Sequence, residues 1–164
     1  NDRFSSLIPQ EYRTDLMVAW RWAVDNELWS PLHSSVSSLI DYFWHMPAWQ
    51  QGADLLQLLL DRLPSRLLFP WQIFLAGISS FGVGLLLAQK SDTPHSLKAR
   101  RQGLSWLERT EDYWHVAAAH LCHAQILAKN NSLADEAAAS IHVAAELATR
   151  HGFSVLQTQI TALK

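Results

Sequence analysis

Apolar residues recur at three- and four-residue spacing along most of the chain, and the strict alternation typical of half-buried strands is nearly absent. The first such stretch, about residues 10–29, places Leu16, Trp20 and Val24 on one helical face. Prolines and capping residues divide the remaining sequence into further helices. The pattern therefore predicts an all-α protein with about eight helices.

Short signals at the helix ends predict where these helices lie. Ser30 followed by Pro31 is typical of an N-cap and the first turn of a helix. Ser132 with Asp135 resembles a capping box, and Gly152 occupies a position typical of a C′ glycine. We expect one domain, 1–164, with a leading helix, three helix pairs and the start of a further helix, over residues 10–29, 31–63, 70–109, 111–151 and 153–164.

Two segments fit one helix-turn-helix template with the same offsets. The first copy contains Val36, Leu39, Ile40 and Phe43, then Trp49, Gly52, Leu56 and Leu59. The second contains Leu121, Ala124, Gln125 and Ala128, then Ala134, Ala137, Ile141 and Ala144. These offsets resemble those of tetratricopeptide repeats. The resemblance implies antiparallel helix pairs stacked into a right-handed α-solenoid. The copies lie farther apart than two periods of about 34 residues, so we expect an irregular middle pair over 70–109.

A second resemblance concerns the segment DLMVAWRWAV at 15–24, which is followed by Trp29. It resembles the segment that opens the helical-repeat region of bacterial STAND-type signal-transduction ATPases and related transcriptional regulators. The endings LSWLER at 104–109 and AELATRHG at 145–152 are similar to that region too. The resemblance implies a sensor and interaction array in a larger protein. The sequence contains no GxxxxGK[ST] phosphate loop, so the ATPase part is not expected in this chain.

The stretch FPWQIFLAGISSFGVGLLLAQ, residues 69–89, is long and apolar enough to cross a bilayer. The surrounding helices are amphipathic and charged, which favours a buried central helix of a repeat array. Gly77, Gly82 and Gly84 within it are expected to allow helix backbones to approach closely. A membrane-associated protein that uses 69–88 is the alternative.

The composition limits which kinds of partner and which cellular compartment are expected. Lys and Arg number 13 and Asp and Glu 15, for a net charge of −2, which gives no bulk reason to expect nucleic acid or an anionic membrane surface. The one cysteine, Cys122, excludes a disulfide framework, and the sequence begins without a signal-peptide pattern. We expect a cytoplasmic protein.

Candidate catalytic and metal-binding groups are few. His120 and His123 lie three residues apart on a predicted helix, but no HExxH or CxxC pattern accompanies them. Cys122 has no defined histidine partner that would activate it. The carboxylate pairs Glu111-Asp112 and Asp135-Glu136 are expected in the first turns of helices, where the helix dipole favours them. We therefore expect no catalytic residue, metal or cofactor. The basic residues Lys98, Arg100 and Arg101 are expected to form a solvated face rather than a nucleic-acid contact.

The sequence thus favours a non-catalytic helical-repeat scaffold that binds a protein, a peptide or a small effector. If the repeat register holds, the first helix of each pair lines a concave groove. The predicted groove residues are Ser34, Ser37, Asp41, Trp44, Ala119, Cys122, Ile126 and Lys129. Trp44 is the candidate anchor, although a tryptophan packed into a neighbouring pair fits the pattern equally well. The alternative is a helical bundle that binds a small molecule or a metal, and could be an enzyme, through the histidine-rich helix at 112–129.

Overall fold

A computed structural model describes residues 12–66, 69–91 and 93–163. Within these ranges the chain forms α-helices, one short 3₁₀ turn and connecting segments, without strands, so the predicted all-α class is confirmed. The helices are α1 (Tyr12–Asp25), α2 (Trp29–His45), α3 (Trp49–Arg62), α4 (Pro70–Ala88), α5 (Pro94–Leu107), α6 (Tyr113–Leu127), α7 (Ala134–Arg150) and α8 (Ser154–Thr161). The predicted start of the first helix, at residue 10, lies outside the described residues.

Two compact units make up the chain, Asn1–Gly103 and Leu104–Lys164, and the boundary between them falls within α5. In the first unit, α1 and α4 each contact both α2 and α3. In the second unit, α8 contacts both α6 and α7.

Helix α4 is the apolar stretch that the sequence singled out, and its side chains are buried at Gln72 and throughout 74–86. It is the one helix in the described part of the chain that is long and apolar enough to cross a membrane, and 78% of its most apolar window is buried within the protein. The predicted burial of this stretch is therefore confirmed.

Glycines allow α4 to pack closely against its neighbours. A Cβ atom on Gly82 would lie 2.6 Å from Cδ1 of Ile40 and 2.8 Å from Cδ1 of Leu56. A Cβ on Gly103 of α5 would lie 2.4 Å from the backbone nitrogen of Phe81. Real Cβ atoms do not approach backbone atoms this closely, so Gly103 requires glycine, whereas a side chain at Gly82 would only displace the flexible ends of Ile40 and Leu56.

Arg100 corrects the expectation of a solvated basic face on α5. Lys98 and Arg101 are exposed, but Arg100 is completely buried. Its Nη1 lies 3.4 Å from the carbonyl oxygen of Gly84, to which it donates. A Cβ on Gly84 would lie only 2.7 Å from Cγ of Arg100. The absence of a side chain at Gly84 thus makes room for the arginine stem against α4.

The core of the second unit combines alanines with larger aliphatic side chains. Ala117 and Leu121 of α6, Ala144 and Ala148 of α7, and Leu156 and Ile160 of α8 form one buried cluster. Because alanine side chains are short, α6 and α7 can lie close together over most of their length. The second unit therefore combines a close fit between α6 and α7 with larger buried side chains.

The start of α2 differs from the prediction. The helix begins at Trp29 with Leu28 at the N-cap, so the prediction that Ser30 caps it was wrong. Glu27 adopts a left-handed conformation with φ 53°, and the Leu28 N–H donates to the Ala23 carbonyl at 2.9 Å. This arrangement is the Schellman motif that ends many helices, here without glycine. The chain reverses at Glu27, and α2 begins before Ser30 is reached.

The predicted capping box at Ser132 was also wrong. Asn130 accepts hydrogen bonds at its side-chain oxygen from the N–H and the hydroxyl of Ser132, at 3.1 and 2.8 Å. The serine hydroxyl therefore serves the 3₁₀ turn Asn131–Leu133, and α7 begins after Leu133 without a side-chain cap.

Two other helix-end predictions have clear outcomes. Asp112 is the N-cap of α6 rather than a first-turn residue, because its carboxylate accepts from the His115 N–H at 3.1 Å. Gly152 ends α7 with φ 71°, and the Phe153 N–H donates to the Ala148 carbonyl at 2.9 Å. The predicted C′ glycine is confirmed.

Candidate functional site

The first half of the predicted groove lies along one face of α2. Ser34 and Asp41 are exposed, while Ser37 and Trp44 are half-buried. The Ser34 hydroxyl donates to the Ser30 carbonyl at 3.0 Å within the helix. Residues spaced three and four apart share a helix face, so these four side chains are neighbours. The face is mostly polar and ends in a partly accessible tryptophan.

The second half of the predicted groove lies on and just beyond α6, in the second unit. Ala119 is only 4% exposed and therefore offers a partner very little surface. Cys122 and Ile126 are half-buried, and Lys129 is exposed beyond the end of the helix. Burial raises the pKa of the Cys122 thiol, which keeps it protonated and unreactive at neutral pH.

Large apolar side chains remain exposed on α1, where the sequence analysis placed no binding residue. Val18 is 61% exposed and Trp22 is 60% exposed. The two are four residues apart, so they adjoin on the same helix face. Trp20, by contrast, is buried, and its indole N–H donates to the Leu55 carbonyl of α3 at 3.2 Å. One tryptophan of this helix thus anchors α1 in the fold, while the other faces solvent.

An aromatic cleft of about 340 Å³ lies between the start of α2 and the start of α4. The rings of Trp29 and Trp71 form its sides, with centroids 6.0 Å apart. Phe69, which is more than half exposed, stacks on the outer side of the cluster with its ring nearly parallel to that of Trp71. The side chain of Gln72 holds this helix start by accepting from the Phe69 N–H at 3.1 Å.

Two histidines of α6 are buried and paired with glutamates, which the sequence analysis did not predict. Nε2 of His120 lies 3.0 Å from Oε1 of Glu108. Nε2 of His123, whose side chain is 1% exposed, lies 3.1 Å from Oε1 of Glu136 on α7. Burial lowers the pKa of His120, and the Glu108 carboxylate partly opposes that effect. Glu136 therefore has two roles. It lies in the first turn of α7, where the helix dipole favours a carboxylate, and it forms a hydrogen bond with the buried imidazole of His123.

The described part of the chain brings few reactive or metal-binding side chains together. No group of three or more histidine, cysteine, aspartate or glutamate side chains there is arranged to hold a metal ion. Each of the two buried histidines has its own glutamate, and Cys122 is protonated. The arrangement is suited to joining helices of the second unit, because hydrogen bonds to charged groups are stronger than neutral ones.

The chain matches no protein-family model, no curated protein and no solved structure. A function therefore has to be argued from the surfaces and side chains themselves.

Some of the features that the sequence analysis missed have a recognisable pattern in the sequence, and others do not. The exposure of Val18 and Trp22 had a signal, since both lie off the apolar face that carries Trp20 and Val24. The histidine–glutamate pairs had none, because their members are 12 and 13 residues apart and meet only when the helices pack.

Proposed function

We propose that this chain is a non-catalytic helical-repeat scaffold that binds a protein or peptide partner, or a small effector. The observation that carries the proposal is the face of α1 formed by Val18 and Trp22, each about 60% exposed. Exposed apolar patches mark interaction sites, and tryptophan is enriched among residues that dominate binding energy. Trp22 is the anchor that we assign to the partner.

The packing of the helices supports a tetratricopeptide-like arrangement within each unit. In such arrays each helix pair contacts the helix that follows it through both of its members. Helix α4 contacts both α2 and α3, and α8 contacts both α6 and α7, as this scheme requires. We propose that the pairs α2–α3 and α6–α7 are two repeats of a right-handed α-solenoid.

The residues of the groove predicted from the sequence are further candidate contact surfaces in this proposal, one in each unit. On α2 it consists of Ser34, Ser37, Asp41 and Trp44, which combine polar groups with one partly accessible aromatic ring. On the α6 side, Cys122, Ile126 and Lys129 offer surface, whereas Ala119 is buried. The α2 residues are the stronger candidates.

The resemblance to STAND-type ATPases and related transcriptional regulators suggests where such a scaffold works. We propose that it is the cytoplasmic sensor or interaction part of a signalling protein, in which partner binding relieves inhibition or promotes assembly. Direct contact with nucleic acid or membrane is not part of this role, consistent with the net charge of −2 and the burial of α4.

Site-specific photo-crosslinking in the source cell tests the proposal. The photoreactive residue p-benzoylphenylalanine replaces Trp22 in one variant and Trp44 in a second. Arg21, which is exposed on the same helix as Trp22, is replaced in the control. We expect a discrete cross-linked product from position 22 that is at least about tenfold more abundant than from position 21, since cross-linking requires direct contact.

Purified components then establish whether the product reflects specific binding. The captured partner is expected to bind the wild-type chain and to bind Trp22→Ala at least about tenfold more weakly, as expected when a central aromatic anchor is lost. Equal cross-linking from positions 21, 22 and 44, or a captured protein that does not bind the purified chain, would overturn the proposal.

A further inference from the structure

A second cleft, of about 690 Å³, lies in the first unit where α4 ends and where α3 and α5 begin. Its volume falls within the range of about 300 to 1,000 Å³ that is usual for small-molecule sites. None of the predicted groove residues lines it. The cleft is therefore a separate candidate site with its own chemistry.

Three basic side chains line this cleft. Arg13 reaches it from α1, Lys90 from the segment after α4, and His95 from the first turn of α5. No aspartate or glutamate is among the lining residues in the part of the chain that the structure describes. Because the two formal positive charges of Arg13 and Lys90 line the same cleft, beside the His95 imidazole, the cleft favours a negatively charged group.

The start of α3 adds to this positive field. Its N-cap, Ala48, has no side-chain oxygen to accept from the first turn, and no acidic residue follows in that turn. The Gly52 N–H makes the first intrahelical hydrogen bond, to the Ala48 carbonyl. The amides of residues 49–51 precede that bond, so they are the N–H groups at the helix start that can donate to another group.

The C-terminal end of α4 opposes that field only in part. Helix α4 ends beside the cleft, but its last carbonyls accept from N–H groups of the following segment. The Leu86 carbonyl accepts from Gln89, and the Leu87 carbonyl accepts from Lys90 and Ser91. The negative end of α4 is thus partly satisfied by its own chain, whereas the positive end of α3 has no side-chain cap.

Apolar side chains complete the wall. Pro47 and Trp49 line the cleft from the α3 side, and Leu87 lines it from the α4 side. We infer that this cleft binds a small organic anion, with its carboxylate or phosphate group toward Lys90 and the start of α3 and its apolar body against Leu87 and Trp49. The inference is independent of the proposed function, because it does not require a protein partner.

Titration by NMR with three probe molecules of similar size tests the inference on the full chain. Phenyl phosphate and benzoate each join an anionic group to an aromatic ring, and benzyl alcohol is their neutral counterpart. At constant ionic strength, we expect saturable shifts of the Trp49 indole and of the Gln50 and Gln51 amides with an anion. Tighter binding of phenyl phosphate or of benzoate identifies which anionic group the cleft prefers.

Charge-removing variants locate the site. Lys90→Gln and Arg13→Gln are each expected to weaken binding about three- to tenfold, as expected for a partly exposed charged hydrogen bond. Lys98→Gln is the matched control, since Lys98 is an exposed lysine on α5 outside the cleft. It is expected to change the Kd less than twofold.

Three results would overturn the inference. The first is a set of shifts that grow linearly with probe concentration without saturation. The second is equal binding of benzyl alcohol and the two anions. The third is an equal effect of Lys90→Gln and Lys98→Gln, in variants whose remaining spectra match those of the wild type.

Discussion

The helix pairs α2–α3 and α6–α7 follow one sequence template but pack with different side chains. In α2–α3 most template positions carry large buried side chains, and Phe43, Leu56 and Leu59 are completely buried. In α6–α7 they are mostly alanine, and the template residues Gln125, Ala128 and Ala134 are exposed. The same spacing therefore produces an apolar core in one pair. In the other it produces a close alanine contact supplemented by the His123–Glu136 hydrogen bond.

This difference shows what residue spacing alone can predict. Spacing identifies the face of a helix that turns inward, but burial depends on how much apolar surface each side chain brings. Large side chains make the inward face unambiguous, whereas alanine leaves room for polar groups to share it. The two pairs should accordingly respond to opposite kinds of mutation.

The largest expected effect is that of Phe43→Ala in α2–α3. Phe43 is completely buried, and an added Cβ on Gly52 would lie 2.6 Å from its ring. Removing the ring leaves a cavity in a packed core, so we expect the free energy of unfolding to fall by about 3 to 5 kcal/mol. Urea denaturation followed by circular dichroism measures this change.

Phe69→Ala is the matched control, because Phe69 is more than half exposed. It is expected to cost about 1 kcal/mol or less, as usual for surface positions. A loss below about 1 kcal/mol for Phe43→Ala would show that α2–α3 does not depend on large buried side chains.

Overpacking is the corresponding perturbation of α6–α7. Ala144 is completely buried in the core cluster of the second unit, which α6, α7 and α8 form together. Ala144→Leu should destabilise the unit by about 1 to 3 kcal/mol, because added atoms force neighbouring helices apart. The same urea titration measures it, with Ala139→Leu at an exposed position of α7 as control. If both variants were equally stable, α6–α7 would not be closely packed.

The ends of α1 and α7 allow the two units to be compared through mutations with a smaller expected effect. Glu27 and Gly152 occupy the same left-handed position in two Schellman motifs, with φ 53° and 71°. Gly152→Ala should cost about 1 kcal/mol, because nothing lies near its added Cβ and only the backbone conformation is penalised. Glu27→Gly should stabilise the chain by up to about 1 kcal/mol for the same reason. Differences in thermal unfolding midpoint of the same sign for both variants would contradict this comparison.

The smallest expected effect is a pH dependence specific to the second unit. Burial lowers the pKa of His120, so the folded state binds fewer protons than the unfolded state just below the ordinary histidine pKa of 6.5. The stability due to a neutral His120 is complete above pH 6.5 and decreases as the pH falls. Unfolding free energies measured from pH 7.5 to 5.5 should therefore decrease less steeply in His120→Gln than in the wild type. Parallel curves would remove His120 as the cause.

Features that depend on residues close together in the sequence were predicted, and most features that depend on distant residues were not. The helical class, the buried apolar stretch of α4 and the glycine at the end of α7 depend on local patterns, and the sequence predicted all three. The turn at Glu27 was missed because a non-glycine residue in a left-handed conformation has no local signal. The burial of Arg100 was missed because it depends on Gly84, which is distant in sequence but adjacent in the fold.

The candidate site was predictable only in part for the same reason. A polar helix face with a tryptophan at one end can be recognised from spacing, as for Ser34 to Trp44. The cleft around Lys90 could not be recognised, because it combines residues from four helices and their connections. The exposure of Trp22 could have been predicted, since this residue lies off the buried face of α1. However, a high tryptophan content favours assigning each tryptophan to the core.

Binding of the cross-linked partner to wild-type chain and to Trp22→Ala, by titration calorimetry, is the most direct test of the central claim that this chain is an interaction scaffold. Trp22 is exposed, so its replacement should leave the fold and the unfolding midpoint unchanged. We predict at least about tenfold weaker binding for Trp22→Ala and less than twofold for the control Arg21→Ala. Equal affinities of all three chains would contradict the assignment of this surface to a partner.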